Sequence, residues 1–235
     1  MTIGKYFRQS IIIVLIVLIG ITTYYVYEVY SARQYTINTV LPAVRSTKYP
    51  LELSDLSSKQ KDILLKVEDP RFFEHNGVDL STPGAGITTI TQGLVKVMYF
   101  KKFRPGIAKI RQTLIAIFAL DPIISKPDQL HLFINIVYLG LNARGFEQAA
   151  DIYFHKSFKQ LDENEYMALV AMVIAPDTFN VQRFPERNRE RVSRIKRLMS
   201  GEYKPKGLFD LYYGKLDKET QKKLPSFSYF ESYYE

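Results

Sequence analysis

The sequence contains no cysteine among its 235 residues. Disulfide bridges and thiolate metal sites are therefore excluded, and this absence is compatible with any cellular compartment. The sequence also has one long interval without charge, between Arg8 and Glu28. An uncharged, largely aliphatic run of roughly 20 residues is long enough to cross a bilayer as a helix. We therefore predict a transmembrane helix close to the N-terminus.

The residues that flank this apolar run predict its orientation. Lys5 and Arg8 precede it, so the positive-inside rule places the N-terminal tip in the cytoplasm and the rest of the chain outside. Tyrosines at positions 24, 25, 27 and 30 would form an aromatic belt at the outer interface. A cleaved signal peptide is the alternative, but the long apolar run and the lack of an Ala-x-Ala site favour an uncleaved anchor. We assign residues 1–30 to the tip and anchor.

Acidic residues are missing from a second interval, residues 80–120. The same interval carries six basic residues: Lys96, Lys101, Lys102, Arg104, Lys109 and Arg111. Together with a net charge of +8, this bias indicates an anionic partner such as a phospholipid surface, a diphosphate or a nucleic acid. Composition does not choose among these, and a solvated basic face is the structural alternative.

The apolar residues that follow the anchor have helical spacing. This spacing occurs at residues 63–67, 107–120, 130–138 and 167–174, and no stretch alternates cleanly enough to require a large sheet. Capping boxes at Ser57 with Gln60 and at Asp162 with Glu165 predict two helix starts. We predict a mostly α fold, with an aperiodic connector at residues 31–53, a folded domain at 54–200 and a C-terminal extension at 201–235.

Residues 67–77, Val-Glu-Asp-Pro-Arg-Phe-Phe-Glu-His-Asn-Gly, contain the strongest candidate for chemistry. Pro70 disfavours a helical conformation at Asp69, so we predict a helix that ends near Glu68 and delivers its carboxylate into a turn. The negative end of the helix dipole would raise the proton affinity of that carboxylate, which suits a general base. A solvated Glu-Asp pair at a helix end is the alternative.

A second block, residues 86–96, reads Gly-Ile-Thr-Thr-Ile-Thr-Gln-Gly-Leu-Val-Lys. Its hydroxyl and amide groups can bond sugar hydroxyls or phosphate oxygens, although such a run is also typical of a strand or a helix start. Further blocks follow at residues 108–112 (Ala-Lys-Ile-Arg-Gln), 129–135 (Gln-Leu-His-Leu-Phe-Ile-Asn), 145–150 (Gly-Phe-Glu-Gln-Ala-Ala) and 153–157 (Tyr-Phe-His-Lys-Ser).

In this order, with residues 129–135 and 145–150 together forming the fourth, the blocks resemble the five signatures of the peptidoglycan glycosyltransferases. This lysozyme-like transglycosylase family includes monofunctional enzymes and the glycosyltransferase domain of bifunctional penicillin-binding proteins. The chain departs from the family pattern at Thr88 (usually Ser), Gly93 (Gln), Ala108 (Arg), Gln112 (Glu), His131 (Glu) and Phe133 (Tyr). The segment between the first two signatures, where the family has a mobile lid, is short. We interpret His131 as a structural residue of an apolar helix.

The resemblance implies a lysozyme-like helical domain behind an N-terminal transmembrane helix, with residues 54–200 as the glycosyltransferase-like part. It implies a hexosyltransferase that joins lipid II-type disaccharide units into glycan chains and releases lipid diphosphate. Glu68 would be the general base. Lys96 and Lys109 would stabilise the diphosphate, while Thr88, Thr89 and Gln92 would position it or its sugar, with Gln112 in the same site.

The resemblance also raises one cofactor, a divalent cation such as magnesium or manganese. In the family, the acidic residue at the position of Gln112 helps to position the diphosphate, often with a metal. Glutamine cannot ionise and is a weaker metal ligand. We therefore assign no metal-binding residue and predict weak dependence on divalent ions.

The implied location is the bacterial cytoplasmic (inner) membrane, as a single-pass protein with its domain on the periplasmic side. The implied partners are the lipid-linked substrate, the growing glycan, the membrane and cell-wall synthesis proteins, with no nucleic acid. A catalytically impaired family member that binds precursor or glycan as a scaffold is the main alternative. A lysozyme-type hydrolase would need a second carboxylate near Glu68, and the neighbouring blocks supply none.

Overall fold

The computed structural model describes residues 2–104 and 106–225, with side chains from Tyr6 onward. These residues form ten α-helices, and the only β pairing among them is an isolated bridge between Tyr138 and Arg144. The prediction of a mostly α fold is therefore confirmed. Helices α1 to α10 are Thr2–Tyr35, Leu41–Ser46, Ser58–Glu68, Ile90–Tyr99, Ile107–Ile115, Lys126–Ile136, Gly145–Phe154, Glu163–Val173, Pro185–Met199 and Lys218–Lys222.

The predicted helix starts agree with the structure. Ser57 caps α3 and Asp162 caps α8, each in a capping box with the glutamine or glutamate three residues later. All four intervals with helical spacing fall on helices, namely α3, α5 with the π-helical turn Ala116–Leu120 that continues it, α6 and α8. Short 3-10 turns at Leu53–Asp55 and Phe158–Gln160 precede α3 and α8.

The N-terminal helix continues far beyond the apolar run. The interval Tyr6–Ser46 is long and apolar enough to cross a membrane, and therefore fits a membrane anchor. The expectation of an aperiodic segment at residues 31–53 is wrong for residues 31–46, which are helical. Pro42 is accommodated because the π-helical turn Thr36–Val40 widens the helix immediately before it.

The lower part of this long helix packs onto the domain. Thr36 is completely buried, donates to the carbonyl of Ala32 and accepts a hydrogen bond from the Tyr99 hydroxyl over 2.6 Å. Arg111 of α5 forms an ion pair with Glu28 at 2.5 Å. The anchor helix is therefore joined to the helix that carries Lys109.

Helix α8 lies at the centre of the domain. Its residues 166–172 are all buried, as expected for a helix that is apolar on every face. Helices α3, α7 and α9 pack around it, while α4 contacts α5 and α6. The ends of α3, α6 and α8 meet the start of α4 at a cleft, which is the site described below.

A close backbone contact at Gly145 yields a stability prediction. Gly145 has a φ of +76°, and a Cβ atom there would lie 2.3 Å from the carbonyl oxygen of Asn135. We expect Gly145→Ala to lower the free energy of unfolding by about 2–4 kcal/mol, because it combines left-handed strain with overpacking. Thermal unfolding in detergent should show a fall in Tm of roughly 5 °C or more.

Gly93 supplies the matched control. It lies inside α4, and an added Cβ would meet only Phe133, at 3.6 Å. Gly93→Ala is expected to keep or raise Tm, because alanine favours a helix by about 0.5–1 kcal/mol over glycine. Equal losses in the two variants would contradict the contact at Gly145.

Candidate active site

A cleft of about 460 Å³ opens between the helix ends described above. Most of its lining is apolar, with side chains from the ends of α3, α6 and α8, from the loop before α4 and from the chain after α9. Glu68 is the only acidic residue among the described residues that line it. The cleft therefore combines one carboxylate with an environment that is poorly solvated.

Glu68 is the last residue of α3, as the sequence predicts. The helix ends there because Asp69 leaves helical geometry, with φ −162° and ψ 77°, while its N–H still bonds to the carbonyl of Leu65. The pKa of Glu68 is raised to about 7, mainly by burial; the charge of Arg191 opposes the rise, and the charge on Asp69 adds to it. The direction agrees with the sequence-based expectation, but the main cause is desolvation rather than the helix dipole.

Asp69 points the other way, into the core. Its buried carboxylate accepts hydrogen bonds from His75 Nε2, at 2.9 Å and 3.0 Å to the two oxygens, and from the backbone N–H of Ile90 at 3.0 Å. Thr89 adds a second link by donating to the carbonyl of Gly77 over 2.7 Å. These bonds join the end of the first signature to the start of α4, and so bring Glu68 and Thr88 to one cleft.

The cationic side of the site is built from α4 and α5. Lys109 Nζ donates to Thr88 Oγ1 over 2.9 Å, and Thr88 itself is exposed beside the cleft. Lys96 lines the cleft, and its Nζ lies 5.5 Å from the centroid of the Phe103 ring. Burial lowers the pKa of both lysines to about 8, and at Lys109 the charge of Lys96 adds to this effect. An anion bound here would restore their ordinary proton affinity.

Three predicted substrate-binding residues are occupied with structural hydrogen bonds. Thr89 caps α4 and forms a capping box with Gln92, whose Nε2 also donates to Thr113 over 2.9 Å. Gln112 is only 1% exposed, and its Nε2 donates to the carbonyl of Gln92 over 2.6 Å. These bonds position α4. Thr89 also lines the cleft, whereas Gln92 and Gln112 do not. Substrate contact by these side chains stays a prediction, as it does for Glu68, Thr88, Lys96 and Lys109.

His131 has a structural role in the fold, in agreement with its interpretation from sequence. Its Nε2 lies 2.8 Å from the carbonyl oxygen of Leu51, to which the amide of Asn135 also donates. The side chain therefore ties α6 to the segment before α3 and does not line the cleft.

Sequence reasoning missed Arg191 of α9. This buried side chain lines the cleft, donates from Nε to the carbonyl of Ala171, and lies 5.4–5.6 Å from the ring centroids of Phe179, Tyr212 and Tyr213. In a helix with five other basic residues, the sequence gives no signal that separates one buried arginine from a solvated basic face. Its position becomes visible only when the aromatic residues of the later chain are placed around it.

The donor set of the cleft does not fit a divalent cation. Within residues 2–104 and 106–225, no group of three or more histidine, aspartate or glutamate side chains could hold a metal ion. Glu68 is the only carboxylate among the described residues that line the cleft, and the other polar side chains there include cations, which cannot coordinate a metal, and hydroxyls. The weak dependence on magnesium or manganese stays a prediction, now with the chemistry of these side chains as its reason.

The raised pKa of Glu68 yields a prediction for stability. The ordinary pKa of this side chain is 4.5, and folding raises it to about 7. Between these values the folded state binds more protons than the unfolded state, so stability falls as the pH rises through this window. We expect Glu68→Gln to be more stable than the parent protein above pH 7, by about 1–3 kcal/mol, and similar to it below about pH 4.

Thermal unfolding across this pH range would measure the effect. Glu186→Gln is the control, because its carboxylate is exposed and neutralising it should change stability little at any pH. A Glu68→Gln variant with the Tm of the parent protein at pH 8 would contradict the burial of this charge.

Comparison with known proteins agrees with this geometry. The family described as Transglycosylase matches residues 34–200. Similar proteins include penicillin-binding protein 1F of Bacillus subtilis (29% identity over 164 residues, 64% of this chain and 23% of that protein) and penicillin-binding protein 1A of Escherichia coli (31% over 146 residues, 57% and 17%). Penicillin-binding protein 1B of Haemophilus influenzae is 33% identical over 155 residues, which are 59% of this chain and 20% of that protein.

The chain thus spans about a fifth of the length of the curated relatives that it matches. The family match, in contrast, covers most of this chain and includes both the helix end at Glu68 and the cationic wall of the cleft. The chain therefore belongs to the transglycosylase family, and its mostly helical domain has the lysozyme-like fold of that family.

Proposed function

We propose that this chain is a membrane-anchored peptidoglycan glycosyltransferase. It polymerises lipid-linked disaccharide units into glycan chains and releases lipid diphosphate, with its domain on the periplasmic side of the cytoplasmic membrane. One observation carries the proposal: the half-buried carboxylate of Glu68, with a pKa of about 7, lines the same cleft as Lys96, with a pKa of about 8, and Lys109 bonds to the Thr88 hydroxyl at that cleft. Such a pair provides a base and an anion site at the same pH.

The proposed reaction is a single displacement. Glu68 accepts the proton of the acceptor's sugar hydroxyl while the oxygen attacks the anomeric carbon of the donor. The bond from that carbon to the diphosphate oxygen breaks, and the leaving group takes the electron pair. Lys96, Lys109 and the Thr88 hydroxyl stabilise the developing negative charge. The anomeric centre is inverted, no covalent intermediate forms, and the proton on Glu68 passes to solvent.

The alternative function is binding of the lipid-linked precursor or glycan without polymerisation. It is supported by the burial of Gln112 beneath α4, if this residue stands at the family's acidic position, as the resemblance implies. A mechanism that requires two carboxylates would fail in this cleft. Polymerisation of lipid II by the purified protein supports the enzyme, whereas tight binding of lipid II without any polymer supports the binding protein.

Replacement of Glu68 tests its role as the base. We expect Glu68→Gln to reduce the rate of lipid II polymerisation by roughly 100-fold or more while lipid II binding changes little, because the amide cannot accept the proton. Gel separation of labelled glycan chains measures the rate. Glu74→Gln is the matched control, since this exposed glutamate belongs to the same signature but pairs with Arg71 outside the cleft. Near-normal polymerisation by Glu68→Gln would remove Glu68 from the mechanism.

The two sets of pKa values predict a narrow pH profile. The kcat/KM for polymerisation should rise with deprotonation of Glu68 near pH 7 and fall with deprotonation of the lysines near pH 8. In kcat the alkaline limb should move to higher pH, because bound diphosphate favours the charged amines. The double variant Lys96→Arg/Lys109→Arg should lose the alkaline limb and keep the acidic one, since arginine stays protonated. A parent profile that is flat from pH 6 to 9 would contradict both assignments.

A further inference from the structure

The chain after α9 forms one wall of the cleft. We call residues 203–215 the C-terminal strap. Its backbone docks on the short loop before α4 through two hydrogen bonds, from Gly84 N–H to the carbonyl of Gly207 and from Gly86 N–H to the carbonyl of Leu208, both 2.9 Å. Three of its side chains line the cleft: Phe209, Leu211 and Tyr212.

The C-terminal strap is held in a defined shape. Asp210 is its centre, because its carboxylate accepts hydrogen bonds from the Tyr203 hydroxyl at 2.6 Å, from Lys206 N–H at 3.0 Å and from Gly214 N–H at 2.9 Å. The Tyr213 hydroxyl donates to the carbonyl of Val67 over 3.0 Å, one residue before Glu68. The strap is thus fixed to the helix that carries the proposed base.

Two arginines of α9 hold the other side of the strap. Arg191 donates to the carbonyl of Leu211 over 3.2 Å, and Arg194 donates to the carbonyls of Tyr212 and Gly214 over 3.2 Å and 3.0 Å. Buried or half-buried arginines therefore provide hydrogen-bond donors for backbone carbonyls of the strap, as expected for an ordered part of the fold. The strap is part of the domain rather than a loose tail.

The strap lies so close to the short loop that Gly84 and Gly86 have no room for a side chain. A Cβ atom on Gly86 would lie 2.6 Å from Leu211 Cδ2, and one on Gly84 would lie 2.8 Å from Pro205. The strap fills the space beside this short loop. The surface next to the cleft is therefore supplied by the C-terminal part of the chain.

This surface is apolar beside a cationic site. Phe209 lines the cleft and is 70% exposed. Ile87, also exposed, precedes Thr88, whose hydroxyl accepts a hydrogen bond from Lys109. Exposed apolar side chains in a cleft favour a ligand that covers them. A ligand that fits both features has a diphosphate joined directly to a hydrocarbon chain.

We propose that the C-terminal strap binds the hydrocarbon chain of the lipid-linked substrate, with Phe209 as its main contact. This inference rests on the proposed function for the identity of the headgroup. The lysines and Thr88 would hold the diphosphate, and the chain would lie along the strap and Ile87. Phe209 would then determine how strongly the affinity for the substrate depends on its chain length, and it would take no part in the chemical step.

The test is binding of two lipid II analogues with the same headgroup, one with a long and one with a short isoprenoid chain. Full-length protein in detergent is compared as parent, Phe209→Ser and Phe118→Ser. The last is the matched control, because Phe118 is 51% exposed and lies outside the cleft. We expect Phe209→Ser to weaken binding of the long-chain analogue about tenfold. A loss of this size corresponds to a ligand that covers roughly half of the apolar surface that a phenylalanine can bury. Binding of the short-chain analogue should change little, and Phe118→Ser should match the parent with both analogues.

Two results would overturn the proposal: equal loss of affinity for both analogues, or no loss for either. Unchanged Tm values establish that the exposed substitutions leave the fold intact. The experiment separates this proposal from the proposed function. Suppose that the parent protein makes no polymer but distinguishes the two chain lengths, and that Phe209→Ser loses this distinction. That result would support the role of the strap and overturn the proposed enzyme activity. Normal polymerisation without any chain-length effect would do the reverse.

Discussion

The buried carboxylate of Asp69 is the interaction on which the site depends. A charge in the core is stable only when hydrogen bonds satisfy it, and Asp69 obtains them from His75 and from the first N–H of α4. These partners come from both sides of the loop that separates the first two signatures. Because α3 ends at Glu68, adjacent carboxylates point in different directions, one into the cleft and one into the core.

The same apolar surroundings act on both signs of charge. Desolvation disfavours the charged form of any group, so it raises the pKa of Glu68 and lowers those of Lys96 and Lys109. A carboxylate and two amines that would ordinarily titrate far apart are brought close to neutral pH by one physical cause. Their burial lowers the stability of the folded state, as is common where a site is arranged for function.

The site is also connected to the anchor. Helix α5 carries Lys109, and one turn away its buried Gln112 supports α4 while Arg111 pairs with Glu28 of α1. Arg33 of α1 donates to the carbonyl of Phe118, just beyond α5. The cationic wall of the site is therefore held at a fixed position relative to the helix that fits a membrane anchor.

The sequence by itself determined the helical fold class, the capped starts of α3 and α8 and the end of α3 at Glu68, because these follow from local spacing, capping chemistry and the restriction that Pro70 imposes. It also identified the family, because the signature blocks keep their order. It did not show that Thr88 is exposed while Thr89 is buried, or that Gln112 is more deeply buried than Lys109. Polar residues close together near the start of a helix look alike in sequence, and only the hydrogen bonds of the folded chain distinguish them. It missed Arg191 and the C-terminal strap, whose roles arise from contacts between residues that are distant in the chain. Those contacts, and the continuous helix through residues 31–46, were decided by tertiary packing, which sets burial and therefore the charge state of each group in the cleft.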